Sequence, residues 1–423
     1  MRKSDLFFLL AVASIPLQLN KFFFFDFSYV LGIPIDYRAP AVYLSDLIII
    51  GYLAFFFLEH QKGLTKIISL QKKIILILTV FNLYLFTSSL LFSESKEASI
   101  FFNARILLFS LTAIAGSSTL SKPQVMQKLS VVFGFSMFWQ SIVLILQFIF
   151  QRSLGLWFLG ERAFDVSTTS IAHIQVLGKQ FLRPYGTFPH PNVAAAYLVI
   201  GLILVWGIRA KITKFTAIVA ILLTGSKTAL VTLAGLLIVQ KPKYFLLAVG
   251  IILIALLIFL KSIPDPQIAS IAERLVLLQA ALDIAVRNPL FGVGSNNFIL
   301  ELSRLDISSL AEIRLLQPVH NVFLLILAEN GLVGLLLFAA LLLTVLKKAK
   351  SAIKLALFIS LLVFASVDHF LWTLHQGQLL FWLSISYVIS KNNNLRKSAI
   401  SAFDTVESDI SGSAKRTADI NPR

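Results

Sequence analysis

Residues 321–346 read NVFLLILAENGLVGLLLFAALLLTVL. At roughly 1.5 Å per residue such a helix crosses the ~30 Å hydrocarbon layer of a bilayer. The stretch just before it, Lys261–Val319, is of another kind. It carries Lys261, Asp265, Glu273, Arg274, Asp283, Arg287, Glu301, Arg304, Asp306, Glu312 and Arg314. His320 stands at the junction, so the sequence puts an imidazole at a membrane–water boundary among arginines. Near neutral pH an imidazole can accept a proton. The positive end of the following helix dipole favours its neutral form, which is the form a base needs.

Working outward, similar apolar runs recur: Leu6–Leu19, Val42–Leu58, Ile74–Phe92, Phe101–Ala115, Leu129–Phe150, Val193–Ile208, Phe245–Leu260, Leu355–Val367 and Leu379–Ile389. A shorter pair, Phe215–Thr224 and Ala229–Val239, flanks Gly225-Ser226-Lys227. With 57% hydrophobic and 14% charged residues, the chain is too apolar for a soluble domain of its length. The expected fold is an all-α polytopic membrane protein of about twelve transmembrane helices. Arg2-Lys3 followed by LFFLLAVASI imitates a secretory signal peptide, but the apolar core is short, and an uncleaved first span is expected. The absence of cysteine excludes disulfides and thiolate metal sites.

Charge orients the spans. With the N-terminus inside and twelve crossings, the cytoplasmic segments hold 23 basic and 6 acidic side chains, and the remainder 14 and 15. This is the positive-inside asymmetry, and it expects both termini to be cytoplasmic, with the bilayer itself as a partner. Positive charge spread over short loops also argues against a nucleic-acid partner. The scheme requires residues 215–239 to form a short hairpin; a single helix would bury Lys227 at mid-bilayer and invert every later loop. A membrane domain over 1–390 and a disordered cytoplasmic tail over 391–423 follow, the tail because it has little to bury. No phosphate-loop, dinucleotide or metal-spaced motif is visible, so neither a cofactor nor a metal is expected.

Two extracytoplasmic loops, Gln151–His190 and Lys261–Val319, are long enough to carry chemistry. The first ends in Arg183-Pro-Tyr-Gly-Thr-Phe-Pro-His-Pro-Asn192. Its prolines favour extended chain, and Asn192 suits the N-cap of the helix that follows. His190-Pro-Asn192 is thus readable as a rigid helix entry, whereas Arg183 has no structural reason to be there and could grip a phosphate by two parallel bonds. The second loop contains an amphipathic helix with Leu275, Leu278, Leu282 and Val286 on one face, expected to lie on the outer membrane surface. A glycine-rich turn, Pro289-Leu-Phe-Gly-Val-Gly-Ser-Asn-Asn297, ends that helix or offers backbone N–H groups to an anion.

Gly186-Thr-Phe-Pro-His-Pro-Asn192, Ser226-Lys-Thr-Ala229, Arg274 with Asn288-Pro-Leu-Phe-Gly-Val-Gly294, and His320-Asn-Val-Phe with Glu329-Asn-Gly-Leu-Val-Gly334 occur in this order. Together they resemble the O-antigen ligase and polymerase superfamily over about Arg183–Gly334. The resemblance implies a metal-independent membrane glycosyltransferase with a fold similar to the GT-C class, in the bacterial inner membrane. It would move a glycan from undecaprenyl diphosphate to an acceptor hydroxyl on another glycan, on lipid A core or on a protein. By motif, His320 would be the catalytic base. Arg183, Arg274 and Lys227 would hold the diphosphate, and His190, Asn192 and Asn321 would help bind substrate. Lys227 departs from the arginine common at its position and lacks the bidentate fork.

A multispan transporter or flippase for an anionic lipid-linked glycan is the competing class. It should place ionisable groups within spans of both halves, whereas here they gather in two loops on one face.

Overall fold

The computed structural model describes residues 1–169, 171–176, 179–207, 210–240, 250, 253, 266–305 and 316–391. Most of the expected span Phe245–Leu260, the start of the second loop, its residues 306–315 and the tail beyond Lys391 lie outside the described residues.

The body is helical: α1 (Lys3–Ala13), α2 (Leu44–His60), α3 (Leu64–Phe92), α4 (Lys96–Leu120), α5 (Pro123–Phe150), α6 (Pro191–Leu204), α7 (Lys211–Thr224) and α8 (Lys227–Gln240). After these come α9 (Pro266–Arg287), α10 (Phe298–Leu302), α11 (Val322–Leu346), α12 (Ala352–Val367), α13 (Phe370–Thr373) and α14 (His375–Ile389). Among the described residues five helices are long and apolar enough to cross a membrane: Leu44–Gly63, Ile67–Phe92, Lys96–Leu120, Pro123–Phe150 and Val322–Leu346. Shorter apolar helices occupy Pro191–Leu204, Lys227–Ile238 and Ala352–Val367. The chain is a multi-pass helical membrane protein. The first apolar run yields a shorter helix than Leu6–Leu19 suggests, because Pro16 lacks an N–H and disfavours helical geometry at Ile15.

Strands, among the described residues, appear only in connections. Among the described residues they form three antiparallel pairs: β1 (Asn20–Phe22) with β4 (Ala41–Tyr43), β2 (Tyr29–Val30) with β3 (Ile33–Pro34), and β5 (His173–Val176) with β6 (Lys179–Leu182).

At the core, α6 is buried on every side, which fits a helix apolar all round. Helix α3 packs between α4 and α11, and α4 against α14. Trp372, 1% exposed, meets Phe102 and Phe338 at ring distances of 5.7 and 5.5 Å. It anchors the short turn that begins at Asp368.

Segments that the charge partition assigns to the cytoplasm share one end of the bundle. Lys122 Nζ reaches Asp5 at 2.6 Å, Ser4 Oγ donates to Glu59 at 2.6 Å, and the Lys391 N–H donates to Ser121 Oγ at 3.0 Å. Residues 215–239 are two helices, not one: α7 ends at Gly225 with φ +61°, and α8 begins at Lys227.

Helix α11 is also interrupted, at Gly331 (φ +63°). The glycine-rich turn plugs into the break through main-chain atoms. Val293 N–H donates to Ala328 O at 3.2 Å, Gly294 N–H to Glu329 O at 2.7 Å, and Leu332 N–H to Pro289 O at 2.8 Å. These bonds replace those the break removes. The turn therefore does not hold its Val293 and Gly294 N–H groups ready for an anion; they are spent inside the protein.

Candidate active site at the junctions of the helices

Arg183 leaves β6 with its N–H donating to Ala172 O at 3.0 Å, which continues the hairpin ladder. The next turn is pinned from α5: Gln147 Oε1 accepts the N–H groups of Tyr185 and Gly186 at 3.0 and 2.7 Å. Held this way, Arg183 Nε donates to Thr224 O at 2.6 Å, at the α7–α8 break, and Nη2 donates to Asn192 Oδ1 at 2.8 Å. Burial lowers the guanidinium to about 10, so it stays charged at neutral pH.

The N-cap of α6 is His190, not Asn192 as the sequence suggests. Pro191 fits the first helical position, where a missing N–H costs nothing, and this moves the cap upstream. His190 Nδ1 accepts the Asn192 N–H at 3.1 Å. The Asn192 side chain is thereby released to bridge: it accepts from Arg183 and donates through Nδ2 to Asp368 Oδ2 at 3.1 Å.

Asp368 is where the site closes. Oδ1 accepts the His369 N–H at 2.8 Å and lies 3.4 Å from His320 Nδ1. That contact falls short of a formed hydrogen bond, and His320 Nδ1 is a buried atom without one. Burial alone would raise the Asp368 carboxyl, but His320, His369 and His190 around it outweigh burial and hold it well below the usual carboxylate range. Burial pushes His190 to about 3, with the Arg183 charge acting the same way, and pushes His369 to about 3 despite Asp368. Two imidazoles are therefore neutral at physiological pH beside one carboxylate anion. The His320 ring is 5.0 Å from that of His369, and its side chain keeps 19% exposure.

His320 does not cap α11. Asn321 does, its Oδ1 accepting the Leu324 N–H at 2.9 Å, while its Nδ2 donates to Ser366 O at 2.9 Å. That second bond ties the start of α11 to the end of α12 and so delivers Asp368 to His320. Arg274 lies on α9, exposed, close enough for its charge to act on Arg183, Lys227 and His369. The face of α9 read as amphipathic is open, with Leu275 61% and Val286 78% exposed, while Leu277, Ala280, Ala281 and Ile284 are buried.

All seven residues singled out in the sequence are described. His190, Asn192, Arg183, His320 and Asn321 are joined to Asp368 directly or through one neighbour; Arg274 and Lys227 approach by charge. Sequence reasoning missed Asp368, His369 and Tyr37. It confined chemistry to two loops, yet the segment 20–43 and the turn 368–376 reach the site as well. Tyr37 meets His369 edge-on at 5.5 Å, and His369 Nδ1 lies 2.6 Å from Thr373 Oγ1. The one legible signal was Asp368-His369, a charged pair set between two apolar runs.

One ligand atom each from His320, Asp368 and His369 lie within 4.8 Å of one another, a donor set able to hold a divalent cation. Sequence spacing could not show it, since the histidines sit on different helix junctions.

A family model described as O-antigen ligase matches residues 212–339, a span that includes Lys227, Arg274, His320 and Asn321. Among curated proteins none matches the chain.

Proposed function

The chain belongs, through residues 212–339, to the O-antigen ligase family, and from that premise we propose that it transfers a glycan from undecaprenyl diphosphate to an acceptor hydroxyl on the extracytoplasmic face of the inner membrane. The reading includes twelve crossings, cytoplasmic termini and a GT-C-like arrangement. The observation that carries it is the His320–Asp368 pair, 3.4 Å apart and bridged by Asn192 to the half-buried Arg183.

The acceptor oxygen attacks the anomeric carbon, and the bond from that carbon to the diphosphate oxygen breaks. The acceptor proton passes to His320, whose imidazolium is stabilised by Asp368, as in other carboxylate–histidine pairs. The leaving diphosphate takes the electron pair and is held by Arg183 and Arg274, with Lys227 as a point charge. A single displacement inverts the anomeric centre. Asn321 positions His320 and Asp368 rather than touching substrate, and His190 fixes Asn192.

Transfer from purified undecaprenyl-diphosphate glycan to acceptor, read by gel mobility, tests this. His320→Ala and Asp368→Asn should each lower the rate by roughly 10²–10⁴-fold with donor binding retained. Activity should survive chelation by EDTA. Full activity in His320→Ala removes the base; activity lost in EDTA and restored by zinc turns the same three residues into a metal centre.

A further inference from the structure

Beside this site lies a cavity of about 470 Å³ to which the transfer step as described assigns no role. Its lining includes Asp36, Tyr37, Arg38, Tyr43, Arg105 and Arg162. It is built from segment 18–43, from α4, from residues 160–162 and 188–189 of the first loop, from Asn296 and from residues 373–376. The cavity reaches the carboxylate–histidine cluster through Tyr37 and Thr373, both in contact with His369. Arg183 reaches the same cluster by another route, through Asn192. The cavity also touches the loop that carries the diphosphate clamp, through Phe188 and Pro189. An acceptor seated there would lie beside both the reacting centre and the leaving group.

The lining also selects a chemistry. Arg38, Arg105 and Arg162 face one carboxylate, Asp36. Arg38 is 2% exposed and held rigidly, with Nε donating to Phe27 O at 2.9 Å and Nη1 to Asn296 O at 2.8 Å. Arg105 Nη2 donates to Ala41 O at 2.5 Å, with its guanidinium 5.6 Å from the Tyr43 ring centre. Each guanidinium carries five donors, so these bonds leave several over. None of the three arginines has a salt bridge among the described residues. Aromatic faces interleaved with excess positive charge suit a sugar ring bearing an anion.

We propose that this cavity is the acceptor subsite and takes a glycan bearing a carboxylate or phosphate. The proposal rests on the transfer reading for the word acceptor, while the binding of an acidic sugar stands on the cavity alone.

The test uses the full chain in lipid nanodiscs, with binding followed by saturation-transfer NMR. The probes are methyl glucuronide, methyl glucoside 6-phosphate, neutral methyl glucoside and inorganic diphosphate. At least one acidic probe should bind about tenfold or more tightly than the neutral one, and the better of the two identifies the anion. Arg162→Gln and Arg105→Gln should each weaken that probe about tenfold, while Arg183→Gln and saturating diphosphate leave it in place. Arg162 is exposed, its guanidinium 5.5 Å from the Tyr185 ring centre, and among the described residues no hydrogen bond ties its side chain to the main chain, so its variant decides even where Arg105→Gln fails to fold. Equal binding of acidic and neutral probes, or displacement by diphosphate, overturns the proposal while leaving transfer untouched. Acid-selective binding in a protein without transfer activity does the reverse.

Discussion

Asp368 gathers four partners: Asn192, His320, His369 and, through Asn192, Arg183. Its surroundings sort the three histidines into distinct roles. His190 and His369 are too buried to charge, at about 3, whereas His320 keeps an unsatisfied nitrogen beside the anion. A pH consequence follows with a definite sign. In an unfolded chain the two buried imidazoles would titrate near 6.5. Below that value the unfolded state binds more protons than the folded one, so stability falls as pH drops from about 6.5 towards 3, by about 1.4 kcal/mol per unit for each imidazole. The purified protein should therefore unfold at lower temperature at pH 5 than at pH 7. An unchanged midpoint would mean that these histidines are already protonated in the fold.

At the scale of elements, the joint between the glycine-rich turn and the break in α11 couples the arginine helix α9 to the histidine helix. Gly292 and Gly331 both have positive φ, and a Cβ at either would lie 2.4 and 2.2 Å from backbone oxygens of Glu329 and Leu290. A left-handed conformation costs a residue with a Cβ about 1–2 kcal/mol, and here the backbone must shift as well. Gly292→Ala and Gly331→Ala should each lower the unfolding midpoint in detergent. Gly235→Ala, in open space on α8, should leave it unchanged or raise it. Equal behaviour of all three would show that the joint contributes nothing. The helices themselves were largely legible, because hydropathy and punctuation are local: the runs, the α7–α8 break at Gly225 and the Pro191 helix entry all read off the chain. The joint was not, since a glycine-rich turn looks the same whether it cradles an anion or a neighbouring carbonyl. Asp368 was hidden for a related reason: its meaning comes from Asn321 holding α12, a long-range bond with no sequence period.

For the whole molecule, Asp5, Glu59, Lys122 and Lys391 belong to one set of contacts and Arg183, His320 and Asp368 to another, and the charge partition expects the first set in the cytoplasm. The chain has no cysteine, so single cysteines report without background. Ser167→Cys, in the first long loop, should react with a membrane-impermeant maleimide in spheroplasts, and Lys62→Cys only after lysis. The opposite pattern would invert the protein. The order in which the site's parts are made also matters. Arg183, Arg274 and His320 are all translated before Asp368, which the ribosome reaches only near the end of the membrane domain. A nascent chain with every cation already threaded into place still has no anion to pair with His320. Synthesis itself thus acts as a timer: under the proposed mechanism, a product truncated before the last helices would keep the residues assigned to the diphosphate but never acquire the anion that His320 needs to act as a base.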